Sequence, residues 1–391
     1  MSHAPQMSAE RERAILWALL FGNFVTGTGI LLPAGMLSEL ATGLTVSVPK
    51  AGGLLFVSGV LVAIGAPLIA AFTSRLDRRA LLTFSLVLYA ASHVVSAIAT
   101  NFEVVLAARV AMAVSAAIFT PQAAATLGAL LPPERRSQAI TMIFVGWSLA
   151  TVGGMPLGGY IAHAFGWQAA FAVVAALSVL AAFAVAATIP AGVRIAALSS
   201  DSWRRVFVSP ALLLVLLVTM LNGTGQFTFF TYVSPSLKNS LAAGPEVITG
   251  VLALYGLSAT LGNVAASRVV GDLGPARGAL IALLGMTAGL ALWGAAPHIL
   301  YVVLAGATFW GLGTFAVNSI QQARLASLAP DISSASIALN TSAIYLGQAA
   351  GSGLGGALIT GGMMQALAWT AAAILLSAAA VSVVAQRYER Q

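Results

Sequence analysis

Three ionisable side chains stand in or beside long apolar stretches, where a charge is costly and so suggests a function. Arg109 lies inside one stretch; its guanidinium stays charged, which suits anion binding better than proton transfer. His93, in YAASHVVSA, has an imidazole that can titrate near neutral pH. Glu39 ends the first stretch. Plainer readings remain open: Arg109 can reach outward or bond helix-end carbonyls, His93 can be packed, and Glu39 can be a solvated end charge.

The acidic residues avoid the middle of every apolar stretch. A side chain that carries protons through an apolar region is usually a carboxylate or a histidine, so this absence leaves few such groups and argues against a strongly cationic ligand. The eleven Asp and Glu residues are Glu10, Glu12, Glu39, Asp77, Glu103, Glu134, Asp201, Glu246, Asp272, Asp331 and Glu389.

Motifs for enzymatic chemistry are missing. The chain has no cysteine and four scattered histidines, and it contains no His-Glu-x-x-His metal motif, Gly-x-Ser-x-Gly nucleophile elbow or P-loop. We therefore expect no enzyme activity, no metal and no cofactor. A channel is also disfavoured, because no ring of charges or carbonyl filter is indicated.

Composition indicates a protein that spans a lipid bilayer. Of the 391 residues, 59% are hydrophobic and only 7% are charged, whereas soluble domains carry about 25% charged residues. The spans must be helical to satisfy their backbone polar groups, which predicts an all-α membrane protein. The twelve predicted spans are 14–36, 50–72, 80–99, 103–128, 139–162, 168–188, 209–232, 246–267, 278–296, 299–326, 335–360 and 364–385.

Basic residues predict the orientation of these spans. All lysines and arginines except Lys50, Lys238 and Arg109 fall on one face if the spans alternate. The positive-inside rule then places both termini in the cytoplasm. Spreading the net charge of +7 along one membrane face also argues against nucleic acid as a partner.

A glycine-rich phrase occurs twice and reveals an internal repeat. GGMPLGG in span five matches AGSGLGG in span eleven, and TGTG in span one matches NGTG in span seven. We predict two parallel six-helix halves, 1–188 and 209–391, joined by a cytoplasmic linker, 189–208. Glycines in such phrases let helices pack closely, and a proline adds a kink. The residues concerned are Gly154, Pro156, Gly158, Gly159, Gly351 and Gly355.

These features resemble the major facilitator superfamily over essentially the whole chain. GGMPLGG is similar to the antiporter motif of its twelve-helix drug:proton antiporters, near the arabinose and sugar efflux type. The loop AAFTSRLDRR resembles the family's Gly-x-Leu-Ala-Asp-Arg-x-Gly-Arg-Arg, with Arg75, Arg78 and Arg79 matching. Arg109 also stands where such transporters carry a basic residue in helix four.

The chain departs from the family pattern at acidic positions. Ser74 replaces the aspartate of the loop motif, although Asp77 lies nearby and the second half keeps Asp272. Thr28-Gly29-Ile30 stands where sugar-efflux relatives often carry Thr-Glu-Phe, so that glutamate is absent. The resemblance implies a major facilitator fold whose halves rock around a central site, with these motif residues acting at the gates.

The resemblance implies a monomeric transporter in the cell membrane, the inner membrane for a bacterium, with a small-molecule substrate. We expect export of a drug, sugar or metabolite by proton antiport, coupled through Arg109, His93 or Glu39. The alternative is an uncoupled facilitator or importer of a neutral molecule. Polar and aromatic residues on the spans expected to line the cavity are Asn23, Thr28, Gln122, Asn222, Gln226, Tyr232, Trp310, Asn318, Asn340 and Tyr345.

Overall fold

Long helices make up nearly all of the computed structural model, which describes residues 8–73, 76–194 and 200–389. In these ranges twelve long helices follow one another. They are α1 (Ala9–Gly35), α2 (Val48–Thr73), α3 (Arg78–Ile98), α4 (Phe102–Leu130), α5 (Pro133–Leu149 and Met155–Phe165, joined by a π-helical turn, Ala150–Gly154), α6 (Trp167–Thr188), α7 (Pro210–Phe230), α8 (Pro245–Leu273), α9 (Pro275–Ala295), α10 (Leu300–Leu328), α11 (Ser333–Thr360) and α12 (Leu367–Tyr388).

The helices confirm the predicted all-α membrane architecture. Eleven in the described ranges are long and apolar enough to cross a bilayer. The twelfth, α11, has 28 residues but is rich in glycine, serine and asparagine. It packs against α2 of the first half and α7 of the second, and a helix held between two others needs small residues more than lipid-facing ones.

Two short helices add a feature that hydropathy did not predict. Leu37–Gly43 follows α1, and Val233–Leu241 follows α7. One follows the first helix of the predicted first half, and the other follows the first helix of the predicted second half. A third short helix, Ser200–Phe207, lies in the predicted linker.

The glycine phrases bring the same pair of helices together in each half. A side chain at Gly159 of α5 would lie 2.6 Å from the carbonyl oxygen of Gly35 in α1, and one at Gly355 of α11 would lie 2.5 Å from that of Thr228 in α7. Gly158 lies against the flexible end of Leu32, which can move aside. At Gly159 and Gly355 the helices therefore touch backbone to backbone.

Pro156 explains the change of helical pitch in α5. Proline has no N–H, so the carbonyl four residues earlier loses its helical donor. The five residues Ala150–Gly154 form a π-helical turn in which the N–H of Met155 bonds to the carbonyl of Ala150. Such turns relieve a break in the hydrogen-bond ladder.

The two halves meet along two seams, α2 with α11 and α5 with α8. A side chain at Gly59 would lie 2.8 Å from the carbonyl oxygen of Tyr345, and one at Gly256 would lie 2.6 Å from that of Thr151. Both seams run toward the end that holds the short helices after α1 and α7, which we call the closed end. We call the other end, with its arginine-rich connections, the basic end.

Substitution of Gly159 by alanine tests the close packing of α5 on α1. We expect Gly159→Ala to destabilise the protein by ~1–3 kcal/mol, because the added methyl group meets backbone that cannot move aside. Gly153→Ala is the matched control, since a side chain there would have no atom within 4 Å. Thermal unfolding in detergent measures both, and equal midpoints for the two variants would contradict this packing.

Candidate functional site

A cleft between the two halves is the best candidate for a ligand site. Its volume is about 360 Å³, within the range of ~300–1,000 Å³ typical of small-molecule pockets. It lies beyond the α2–α11 seam, toward the basic end. It is lined by Ala63 and Ile64 of α2, Leu216, Leu217 and Met220 of α7, and Leu339, Ser342, Ala343 and Leu346 of α11.

The walls of the cleft are almost entirely apolar. The exception is Ser342, whose Oγ is buried without a hydrogen-bond partner among the described residues. Ile64 and Leu346, by contrast, are 58% and 47% exposed, so the cleft is open at the surface of the helix bundle. The arrangement suits a ligand with an apolar face and at most one hydrogen bond to this wall.

No residue of the sequence-based cavity set lines this cleft. The set was chosen because its residues are polar or aromatic, whereas the cleft is lined almost entirely by apolar residues. The small residues of its lining, Ala63 and Ala343, lie on two helices that both contain many small residues. Small residues alone are too common in membrane helices to have identified it.

In the first half, the predicted cavity residues bond neighbouring helices. Asn23 of α1 donates to the carbonyl oxygen of Ile143 in α5 (3.1 Å) and accepts from the hydroxyl of Thr120 in α4 (2.8 Å). Thr28 donates to the carbonyl oxygen of Phe24 in its own helix. Asn23 thus ties α1, α4 and α5 together.

Two hydrogen-bonded pairs that contain asparagine also join neighbouring helices in the second half. The hydroxyl of Thr219 in α7 donates to Oδ1 of Asn340 in α11 over 2.7 Å. Nδ2 of Asn222 in α7 lies 3.5 Å from Oδ1 of Asn318 in α10. These side chains therefore connect α7 to α10 and α11.

The aromatic candidates are packed rather than open. Gln226 donates to the hydroxyl of Tyr255 (2.9 Å), whose ring lies 4.3 Å from that of Trp310. Tyr232 donates to a backbone carbonyl of α11. Tyr345 is partly exposed at the α2–α11 seam, next in sequence to the lining residue Leu346.

The loop motif forms a hydrogen-bonded junction at the basic end. Asp77 caps α3 by accepting from the N–H of Ala80 (2.9 Å), and its other oxygen accepts from the N–H of Gly192 in the linker. The bond from Ala80 is the main reason why the pKa of Asp77 lies below its ordinary value; the linker bond and Arg194 act in the same direction. The carboxylate therefore fastens the linker to α3.

Arg78 crosses this junction from α3 to two other helices. Its guanidinium donates to the side-chain oxygen of Gln122 in α4 and, over 3.0 Å, to the carbonyl oxygen of Thr73 in α2. Arg79 is exposed. Arg75 and the side chain of Asp272 lie outside the described residues.

Arg109 donates to two backbone carbonyls in α1. Pro33 interrupts α1, so the carbonyl of Gly29 has no helical N–H partner. Nη1 of Arg109 donates to that oxygen over 2.7 Å, and Nη2 donates to the carbonyl oxygen of Ile30 over 3.0 Å. The side chain is 1% exposed. Arg109 thus supplies the hydrogen bond that Pro33 removes, and it does not reach the cleft.

His93 packs beside the same point of α1. Its Nδ1 lies 2.9 Å from the carbonyl oxygen of Tyr89, and its Nε2 has no partner in the described part of the chain. Tyr89 in turn donates to the carbonyl oxygen of Thr26 over 2.7 Å. A side chain at Gly29 would lie 2.6 Å from Nε2 of His93. The histidine and tyrosine therefore fill the space that a residue larger than glycine would need.

Glu39 lies at the closed end, away from the cleft. Its Oε1 accepts a hydrogen bond from Nζ of Lys238 over 2.7 Å. The three coupling candidates therefore occupy two places: Arg109 and His93 beside Gly29, and Glu39 at the contact between the halves.

A double-mutant cycle tests the role of Arg109. We expect Arg109→Leu to destabilise the protein by ~1–3 kcal/mol, because the carbonyl of Gly29 loses its donor. In a Pro33→Ala background the loss should be smaller, because the N–H of alanine can bond to that carbonyl. Thermal unfolding of the four proteins in detergent measures the coupling.

Strict additivity in this cycle would contradict the carbonyl-bonding role. Arg109→Lys is the conservative comparison: a single ammonium can replace one of the two bonds but lacks the planar geometry for both. We expect its unfolding midpoint to lie between those of the parent and Arg109→Leu.

Comparison with known proteins agrees with this architecture. Two matches to the Major Facilitator Superfamily cover residues 19–234 and 215–390. The inner membrane transport protein YdhP of Escherichia coli O157:H7 is 30% identical over 350 residues, covering 89% of each chain. A probable sugar efflux transporter of Pasteurella multocida (strain Pm70) is 29% identical over 350 residues, covering 90% of this chain and 86% of the relative.

Solved structures show the same fold. A bacterial homologue of the human lysosomal transporter Spinster, in an inward-facing and unoccupied conformation, superposes with a TM-score of 0.75 at 15% identity and covers 98% of both chains. The family match extends through both halves. The chain is a membrane transporter, not an enzyme, and it belongs to the major facilitator superfamily.

Proposed function

We propose that this transporter exports a neutral small organic molecule from the cytoplasm by proton antiport. The cleft is the observation that carries the proposal: it lies between the halves toward the basic end, while the seams join the halves toward the opposite end. We take the cleft as the open side and the seams as the closed side of one state of an alternating-access cycle. The relatives named as sugar efflux transporters support the direction.

The arginines of the basic end support a cytoplasmic location for it. Arginine-rich connections stay on the cytoplasmic side of a membrane. We therefore place the protein in a bacterial inner membrane with both termini inside, so that the cleft receives its ligand from the cytoplasm. Both halves of the cleft come from one chain, and a monomer suffices.

The lining of the cleft supports a neutral ligand. Its walls carry no charged residue, and a charged ligand would need a compensating group there. Ser342 offers one hydroxyl for orientation. An apolar or weakly polar molecule fits this chemistry better than an organic cation.

His93 is the side chain best placed to carry the proton. It lies against Gly29, where sugar-efflux relatives often carry a glutamate, and its Nε2 faces α1 without a partner among the described residues. An imidazole can gain and lose a proton, whereas the guanidinium of the neighbouring Arg109 stays charged.

The gates follow from the repeated packing. Gly154 and Pro156 with Gly158 and Gly159 in α5, and Gly351 with Gly355 in α11, let each helix move as one body with α1 or α7. We propose that the halves 1–188 and 209–391 rock as units joined by the linker 189–208. Arg75, Arg78, Arg79, Asp77 and Asp272 would then act at the basic end.

An uncoupled facilitator or importer is the second candidate. It is favoured by the absence of any acidic residue from the middle of the spans. The same cleft and the same rocking motion would serve it, and only the proton would be missing.

Proteoliposomes distinguish the two candidates. Purified protein is reconstituted with a pH-sensitive dye inside, and a panel of sugars, nucleosides and neutral antibiotics is added. Antiport predicts proton movement opposite to the substrate and its loss in His93→Gln, with substrate exchange retained. Substrate movement without proton flux in the parent protein would establish the facilitator instead.

Filling the cleft tests its role as the ligand site. Ala343→Phe places a ring among Ala63, Leu217 and Ser342 and should reduce transport at least ~10-fold, as a blocked pocket predicts. Ala350→Phe, two turns along α11 at an exposed position, is the matched control. Full transport by the Ala343 variant, with normal expression, would rule out this cleft as the path.

A further inference from the structure

We propose that Glu39 and Lys238 form a charge latch that holds the closed end shut. The two residues come from different halves: Glu39 from the helix after α1, and Lys238 from the helix after α7. Their 2.7 Å contact therefore crosses the boundary that must open when the other face of the transporter is exposed. This inference rests on the proposed alternating access and adds the interaction that controls it.

The surroundings of Glu39 favour a strong pair. The carboxylate is only 16% exposed, and Nδ1 of His163 in α5 approaches the same oxygen at 3.8 Å. Partly buried charges are screened less by salt and water than exposed ones. His163 belongs to the first half, like Glu39, so Lys238 is the partner that comes from the other half.

Other charges at this end lie outside the latch. Lys50 and Glu103 pair with each other at 3.2 Å, within the first half, and are 50% and 72% exposed. Glu246 is exposed in the first turn of α8. Breaking the Lys50–Glu103 pair therefore alters charge at the same end without touching the boundary between the halves.

The position of Glu39 fits a latch better than a proton carrier. A carrier must be reached from each face in turn, whereas Glu39 contacts groups of the closed end only. Loss of its charge would weaken the closed end rather than move a proton through the protein. This separates Glu39 from His93, which lies at the depth of Gly29.

A buried serine beside the latch reports opening. Ser234 lines the same small pocket as Glu39 and is 1% exposed. The natural chain has no cysteine, so Ser234→Cys introduces a single thiol with little change in size. Its labelling rate by a water-soluble maleimide, in nanodiscs where both faces are accessible, measures how often the closed end opens.

We expect Glu39→Gln and Lys238→Gln each to raise this rate about two- to fivefold, the population shift that an ion pair of this exposure can supply. The exchange Glu39→Lys with Lys238→Glu should return the rate to that of the parent. Glu103→Gln is the matched control and should leave the rate unchanged. Monodisperse elution and unchanged unfolding midpoints confirm that each variant is folded.

Unchanged labelling in the glutamine variants would overturn the latch, as would failure of the charge exchange to restore the parent rate. Transport in liposomes is measured separately on the same variants. Faster labelling without any transport in the parent protein would contradict the proposed function and leave the latch standing. Normal labelling in variants of a working transporter would contradict the latch alone.

Discussion

The hydrogen bonds from Arg109 to the carbonyls of Gly29 and Ile30 fix the first half of the molecule. Backbone polar groups inside a bilayer need partners within the protein, and Pro33 removes one from α1. Arg109 provides it from α4 and so determines how these helices meet. Tyr89 and His93 then fit against Gly29, where no side chain intervenes. The proline of α1 thus accounts for one buried cation, Arg109, which lies beside the one interior histidine in the described ranges.

Close packing holds the helices together within each of the two proposed halves. Within a half, glycines of α5 and α11 bring backbone against backbone, and asparagines such as Asn23 and Asn340 tie neighbouring helices. Between the halves, the contacts are the two seams toward the closed end and the Glu39–Lys238 pair. This arrangement fits the alternating access proposed above.

The sequence was sufficient to predict the fold because hydropathy and the glycine phrases are visible in short segments of the chain. It was less informative for the site. A polar residue in an apolar helix looks the same in the sequence whether its side chain contacts a ligand or a neighbouring helix. Most of the predicted cavity residues form hydrogen bonds to other helices. The cleft itself is apolar and gave no signal. The partner of Arg109 lies about eighty residues away, and nothing local to either residue indicates the pairing.

The proline of α1 also bears on how the chain is assembled. Its counterpart in α7 is Phe229, so the second half has no such gap to repair. During synthesis α1 enters the membrane well before α4, and until α4 follows, the carbonyl of Gly29 has no protein donor. The first half can therefore reach its final packing only after its fourth helix has been inserted. In the second half, which has no proline at this place, the fourth helix is not needed to satisfy that carbonyl of the first helix.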